Sequence, residues 1–131
     1  PNKDAVGYYA EDGNDAAYKA NVAAGIELLK NAGYQFDADN KLKASTPIAF
    51  EYIINENTGH QAIAECIQQD LKAVGITMTI KTVDWDTLLN ERKSGTFDVS
   101  RNGWIMDFND PVNMLEMWTS DSGNNDCQFG K

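Results

Sequence analysis

Three short segments with the composition of strands, spaced by two stretches with helical periodicity, most constrain what this chain can fold into. Pro47 to Ile54 is rich in β-branched and aromatic residues and reads as a strand, with Ile76 to Val83 the second and Phe97 to Arg101 the third. In Ile76 to Val83, Ile and Met alternate with Thr and Lys, the mark of a half-buried strand. Between the first two segments, Thr58 stands at an N-cap position. A helix follows with Ile63, Ala64, Ile67, Leu71 and Val74 on one stripe, and Gly75 ends it. Between the second and third, Asp84 caps a helix carrying Trp85, Leu88 and Leu89, closed by Gly95. Strand–helix–strand–helix–strand with short links predicts an α/β, three-layer fold: a mostly parallel sheet with right-handed crossovers and the first strand in the middle.

The flanks are read in the same terms. Residues 1–14 are polar, broken by Gly7 and Gly13, and read as an irregular lead-in. Asp15 is placed to cap a helix with Ala16, Ala17, Ala20, Ala23, Ala24, Ile26, Leu28 and Leu29, stopped by Gly33. Asp37-Ala38-Asp39-Asn40 signals a turn. Pro111, at a first helical position, starts a short helix through Leu115 and Trp118. Ser120 to Lys131 is polar and expected to be loose. A length of 131 residues suits one domain, 1–131, able to bury a core. Pro1-Asn2-Lys3-Asp4 reads as a mid-protein starting point, with any export signal expected upstream.

Composition excludes several functions. A net charge of −9 argues against nucleic acid, which needs clustered Lys and Arg. No apolar run is long enough for a transmembrane helix. Two cysteines, Cys66 and Cys127, are too few and too far apart for a zinc site or a disulfide framework; Cys66 reads as buried and Cys127 as unpaired. No dinucleotide or P-loop glycine pattern occurs, and one histidine gives no triad. Asp107, Asn109 and Asp110 fail as a calcium loop because Pro111 stands where a ligand is required. No metal and no cofactor are therefore expected.

In such sheets ligands sit beyond the carboxyl ends of the strands, so loops 55–59 and 102–110 form the expected binding edge. Each residue there also has an ordinary role. Asp and Asn in a loop commonly make turn hydrogen bonds; Trp104 at a strand end commonly packs in the core. Arg101 is commonly solvated, as is His60 in the first turn of its helix. Arg92 and Lys93 suit the C-terminal dipole of theirs. Met106, Met114, Met117 and Trp118 read as core.

The run Phe97-Asp98-Val99-Ser100-Arg101-Asn102-Gly103-Trp104-Ile105-Met106-Asp107-Phe108-Asn109-Asp110-Pro111 carries more specific information. It resembles the oligopeptide- and dipeptide-binding proteins of bacterial ABC importers, the extracellular solute-binding proteins of family 5. The resemblance extends from about Asp15 to the end of the chain. It includes Leu28-Leu29-Lys30-Asn31-Ala32-Gly33-Tyr34, Leu71-Lys72-Ala73-Val74-Gly75-Ile76 and Trp85-Asp86-Thr87-Leu88-Leu89. It implies a periplasmic-binding-protein-type lobe, with this chain a fragment of the C-terminal ligand-binding lobe of a larger two-lobed protein. It implies a bacterial extracellular location, periplasmic or as a cell-surface lipoprotein, with a peptide ligand, permease subunits as partners and no catalysis. Matched positions acquire roles: Asp107 pairs with the peptide's α-amino group, and Gly103 and Ile105 pair with its backbone. Trp104 adjoins as a wall, and His60, Arg92 and Arg101 face its carboxyl end. The alternatives are another solute of the family (nickel, haem or sugar), a small α/β enzyme using Asp107 and Asp110, and a free-standing signalling domain.

Overall fold

The computed structural model describes residues 15–130, so the reading of residues 1–14 as a lead-in lies outside the described residues. The chain divides into two compact units, 1–47 and 48–131.

In the first unit, helix α1 spans Asp15–Asn31. It stops where Gly33 takes φ +97°, with Gly33 N–H donating to Lys30 O at 2.9 Å and Tyr34 N–H to Leu29 O at 3.0 Å. A left-handed glycine lets the chain turn back and satisfy the last carbonyls of the helix. Phe36 and Leu42 then form an antiparallel bridge around the expected turn. Asp37 Oδ1 organises that turn by accepting from the N–H groups of Asp39 and Lys41, both at 2.9 Å.

The second unit holds the sheet. Strand β1 spans Ala49–Asn55, helix α2 Thr58–Ala73, strand β2 Thr77–Val83, helix α3 Trp85–Ser94 and strand β3 Val99–Ser100. The order is β2-β1-β3 with both pairings parallel, as the alternation of elements requires. Ile53 and Ile54 are both buried. Adjacent strand residues point to opposite faces, so both faces of β1 are covered and the architecture is three-layered. The crossover from β1 to β2 and the one from β2 to β3 run in opposite directions along the sheet, which for right-handed connections puts α2 and α3 on opposite faces. Ala64 of α2, Met78 of β2 and Leu88 of α3 complete the core with Ile76 and Met117.

Several local expectations are corrected. The cap of α2 is Asn57, not Thr58. Asn57 is extended, and its Oδ1 accepts from Gly59 N–H at 2.9 Å and His60 N–H at 3.1 Å, while Thr58 is the first helical residue. The third strand is only Val99–Ser100, because Asp98 leaves the ladder: its Oδ2 takes the N–H of Glu51 at 2.9 Å. Ile63 and Ile67 are exposed, so the α2 stripe is buried only in part, at Ala64. Cys66 is exposed rather than buried, and like Cys127 it is unpaired. Asp84 does cap α3, accepting from Thr87 N–H at 2.9 Å, and Gly95 closes that helix in the left-handed region at φ +70°.

The C-terminal stretch is not loose among the described residues. Asn125 is buried; its Nδ2 donates to Thr119 O at 3.0 Å and Phe129 O at 2.8 Å, and its Oδ1 accepts from Phe129 N–H at 2.9 Å. Asp126 receives Arg92 Nε at 2.9 Å and Nη2 at 2.6 Å, and lies 3.1 Å from Lys93 Nζ. Polarity along this segment therefore reflects internal hydrogen bonding as well as solvation.

Candidate functional site

β3 lies at the edge of the sheet. Arg101 N–H still reaches across to Ile53 O at 3.0 Å, and there the ladder ends. Beyond it, among the described residues, the main-chain N–H groups of Trp104, Ile105 and Met106 make no hydrogen bond, and neither do the carbonyls of Gly103, Trp104 and Ile105. Ile105 is 91% exposed. An edge segment with free donors and acceptors is a template for an added strand.

The loop is nevertheless held at three points. Asp110 Oδ1 accepts from Val112 N–H at 2.9 Å and sets the short helix α4, Val112–Leu115. Pro111 precedes α4 rather than opening it, already in helical geometry, and a 3₁₀ turn at Glu116–Trp118 continues the chain. Asn113 of α4 is 1% exposed. Its Oδ1 accepts from Trp104 Nε1 at 3.0 Å and from Asp107 N–H at 2.9 Å, and its Nδ2 points to Asp107 Oδ2 at 3.4 Å. The Asp107 carboxylate is exposed at the end of the free edge segment.

A groove of about 300 Å³ runs beside this edge, lined by Asn102, Gly103, Trp104, Met114, Met117 and Trp118. Of the methionine and tryptophan stripe expected in the core, only Met117 is buried. Met106, Met114 and Trp118 stay exposed, because α4 is too short to turn them all inward. Trp104 is exposed rather than packed in the core; it lines the groove with its indole N–H satisfied by Asn113.

The remaining expected site residues fall as follows. The Arg101 guanidinium lies over Gly103: a side-chain carbon on Gly103 would meet Arg101 Nη2 at 2.8 Å. Among the described residues Arg101 has no carboxylate partner. His60 is half-buried in the first turn of α2, at the carboxyl end of β1. Arg92, in the last turn of α3, is held by Asp126, so its charge is already neutralised inside the chain.

Two residues escaped the sequence reading. One is Asn113, whose signal was a polar residue one helical turn before Met117, on the inward side of a short helix. The other is Asn55, the last residue of β1, whose Oδ1 is buried without a hydrogen-bond partner at the same edge. Among the described residues, no group of acidic, histidine or cysteine side chains is arranged to hold a metal ion, and no helix is long and apolar enough to cross a membrane.

With this geometry in view, the chain can be set beside known proteins. Residues 1–126 match the family model of bacterial extracellular solute-binding proteins, family 5. The chain belongs to that family. It is 32% identical over 104 residues to the periplasmic oligopeptide-binding protein OppA of Salmonella typhimurium, covering 79% of this chain and 18% of that protein. It is 34% identical over 105 residues to the probable deoxycholate-binding periplasmic protein YgiS of Escherichia coli, with the same coverage. Among solved structures, the Escherichia coli murein tripeptide binding protein MppA matches with a TM-score of 0.70 and 29% identity, over 82% of this chain and 20% of that one. Haemophilus influenzae OppA in complex with the peptide RPPGFSPFR matches with a TM-score of 0.67 and 27% identity, over 79% of this chain and 19% of that one. This family member thus spans about a fifth of the length of the proteins it is similar to.

Proposed function

We propose that this chain is part of a ligand-binding lobe that takes up oligopeptides for an ABC importer, binding its ligand without chemical change. The observation that carries the reading is the free main chain of Trp104 to Met106, which continues an edge strand and ends at the exposed carboxylate of Asp107. An extended peptide added there gains backbone hydrogen bonds that are indifferent to its side chains. Its ammonium group then falls to Asp107, in a charge-assisted pair that strengthens once water is excluded. Gly103 offers no side chain to hinder the approach, and Trp104 walls the groove. Arg101 and His60 remain to meet the peptide's carboxyl end, whereas Arg92 is engaged by Asp126. The relatives bearing oligopeptide- and murein-peptide-binding names support this class of ligand. The whole receptor is proposed to work in the periplasm or at the bacterial cell surface, by lipid anchoring in the latter case, and to deliver peptide to permease subunits.

The relative named as a probable deoxycholate-binding protein favours a second reading, an amphipathic steroid in the apolar groove. Asp107 discriminates between the two, since a carboxylate repels an anionic steroid and attracts an ammonium. In the full-length protein, Asp107→Asn keeps the shape and removes the charge. It should cost on the order of 2–5 kcal/mol toward a free tripeptide. Acetylating the amino end should cost wild type a similar amount and the variant little more, because both changes delete one interaction. Calorimetric titrations in which wild type binds free and acetylated tripeptide equally well would remove the amine-binding role.

A further inference from the structure

We propose that Asn113 is the positioning residue of this edge: a single buried amide that fixes the Trp104 wall and the Asp107 carboxylate relative to each other before a ligand arrives. The inference rests on the amine-binding reading of Asp107. Residues 102–110 are otherwise thinly tied. Apart from the Asx-type bonds of Asn102 to Gly103 and of Asp110 to Val112, and the main-chain bonds from Asp110 N–H to Phe108 O and from Asn113 N–H to Asp110 O, the fixed points of the loop converge on one side chain.

An amide oxygen has two lone pairs and an amide nitrogen two N–H groups. Here Oδ1 receives both the Trp104 indole at 3.0 Å and the Asp107 N–H at 2.9 Å. Nδ2 faces Asp107 Oδ2 at 3.4 Å and Glu116 Oε1 at 3.5 Å. An aliphatic residue would leave the indole and the Asp107 amide without an acceptor. An aspartate would supply the acceptor but set a further negative charge beside Asp107 and Glu116. Asn113 sits on α4, which is anchored four residues on by buried Met117, so the amide is carried on a fixed element. Its 1% exposure contrasts with the exposed carboxylate it orients. A loop ordered in advance spares the ligand the cost of ordering it on binding.

The test uses the full-length protein with tri-alanine, either free or N-acetylated at its amino end. Asn113→Ala should weaken free tri-alanine by about tenfold or more and the acetylated peptide by no more than about threefold, so that the preference for a free amine collapses. The indole N–H resonance of Trp104 should also move and exchange faster with solvent. Asn113→Asp keeps the acceptor, so the Trp104 resonance should survive. Equal weakening of both peptides by Asn113→Ala would reduce Asn113 to packing and overturn the proposal, as would an unmoved Trp104 resonance. A wild type that ignores acetylation would instead sink the amine-binding reading, and the proposal with it.

Discussion

The Arg92–Asp126 pair offers a worked test of how the C-terminal stretch is fastened. Arg92 donates twice to one carboxylate oxygen, at 2.9 Å and 2.6 Å, and the two side chains are 11% and 4% exposed. Lys93 adds a contact at 3.1 Å but is 49% exposed, so it contributes at most about 1 kcal/mol. Asp126→Ala leaves a mostly buried guanidinium with no counter-charge, which costs on the order of 3–5 kcal/mol. Replacing both partners, Arg92→Met with Asp126→Leu, removes the two desolvation penalties together and should return stability to within about 1 kcal/mol of wild type. Urea unfolding of wild type, Arg92→Met, Asp126→Leu and the double variant gives the coupling directly, expected at about 3 kcal/mol or more. A cost below about 1 kcal/mol for Asp126→Ala would refute the reasoning and mean that the segment is held by Asn125 alone. The double variant also tests Arg92 as a ligand contact: unchanged peptide affinity assigns it to the scaffold.

Three further outcomes follow from single features. Asn57→Ala should cost about 1 kcal/mol in urea unfolding, because two N–H groups at the start of α2 lose their acceptor, while Thr58→Ala should cost little. The hydrogen bonds from Thr87 hold the Asp84 carboxyl below the usual carboxylate range. Its capping contribution is therefore fully present above that range and is lost as the pH falls through the lowered value; acid unfolding of Asp84→Asn should lack this component. Gly103→Ala should leave stability within about 0.5 kcal/mol, since the new carbon meets only the mobile end of Arg101, yet lower peptide affinity measured by calorimetry.

Much of the fold is fixed by local rules that a sequence displays. The glycines at 33, 75 and 95 mark real helix ends, because only glycine takes a left-handed φ without cost. Asp84 caps the helix it was expected to cap, since its acceptor is only three bonds from its own Cα. The parallel order β2-β1-β3 follows from the alternation of elements and the handedness of crossovers. The sequence likewise singles out residues 97–111 as the loop where free edge backbone, Trp104 and Asp107 meet.

Contacts between distant residues are what the tertiary structure decided. Asp98 sits in a run with strand composition, but 47 residues earlier Glu51 offers it an N–H, and the strand is cut to two residues. Asp126 belongs to a stretch whose polarity suggests solvation, until α3 brings Arg92 and Lys93 to it from 34 and 33 positions away. Asn113 is one asparagine among many until Trp104 and Asp107 converge on its oxygen. Composition reports how readily a side chain is buried or hydrated on average. Whether a given carboxylate or amide is buried depends on the partner that meets it, and that partner is supplied by the fold.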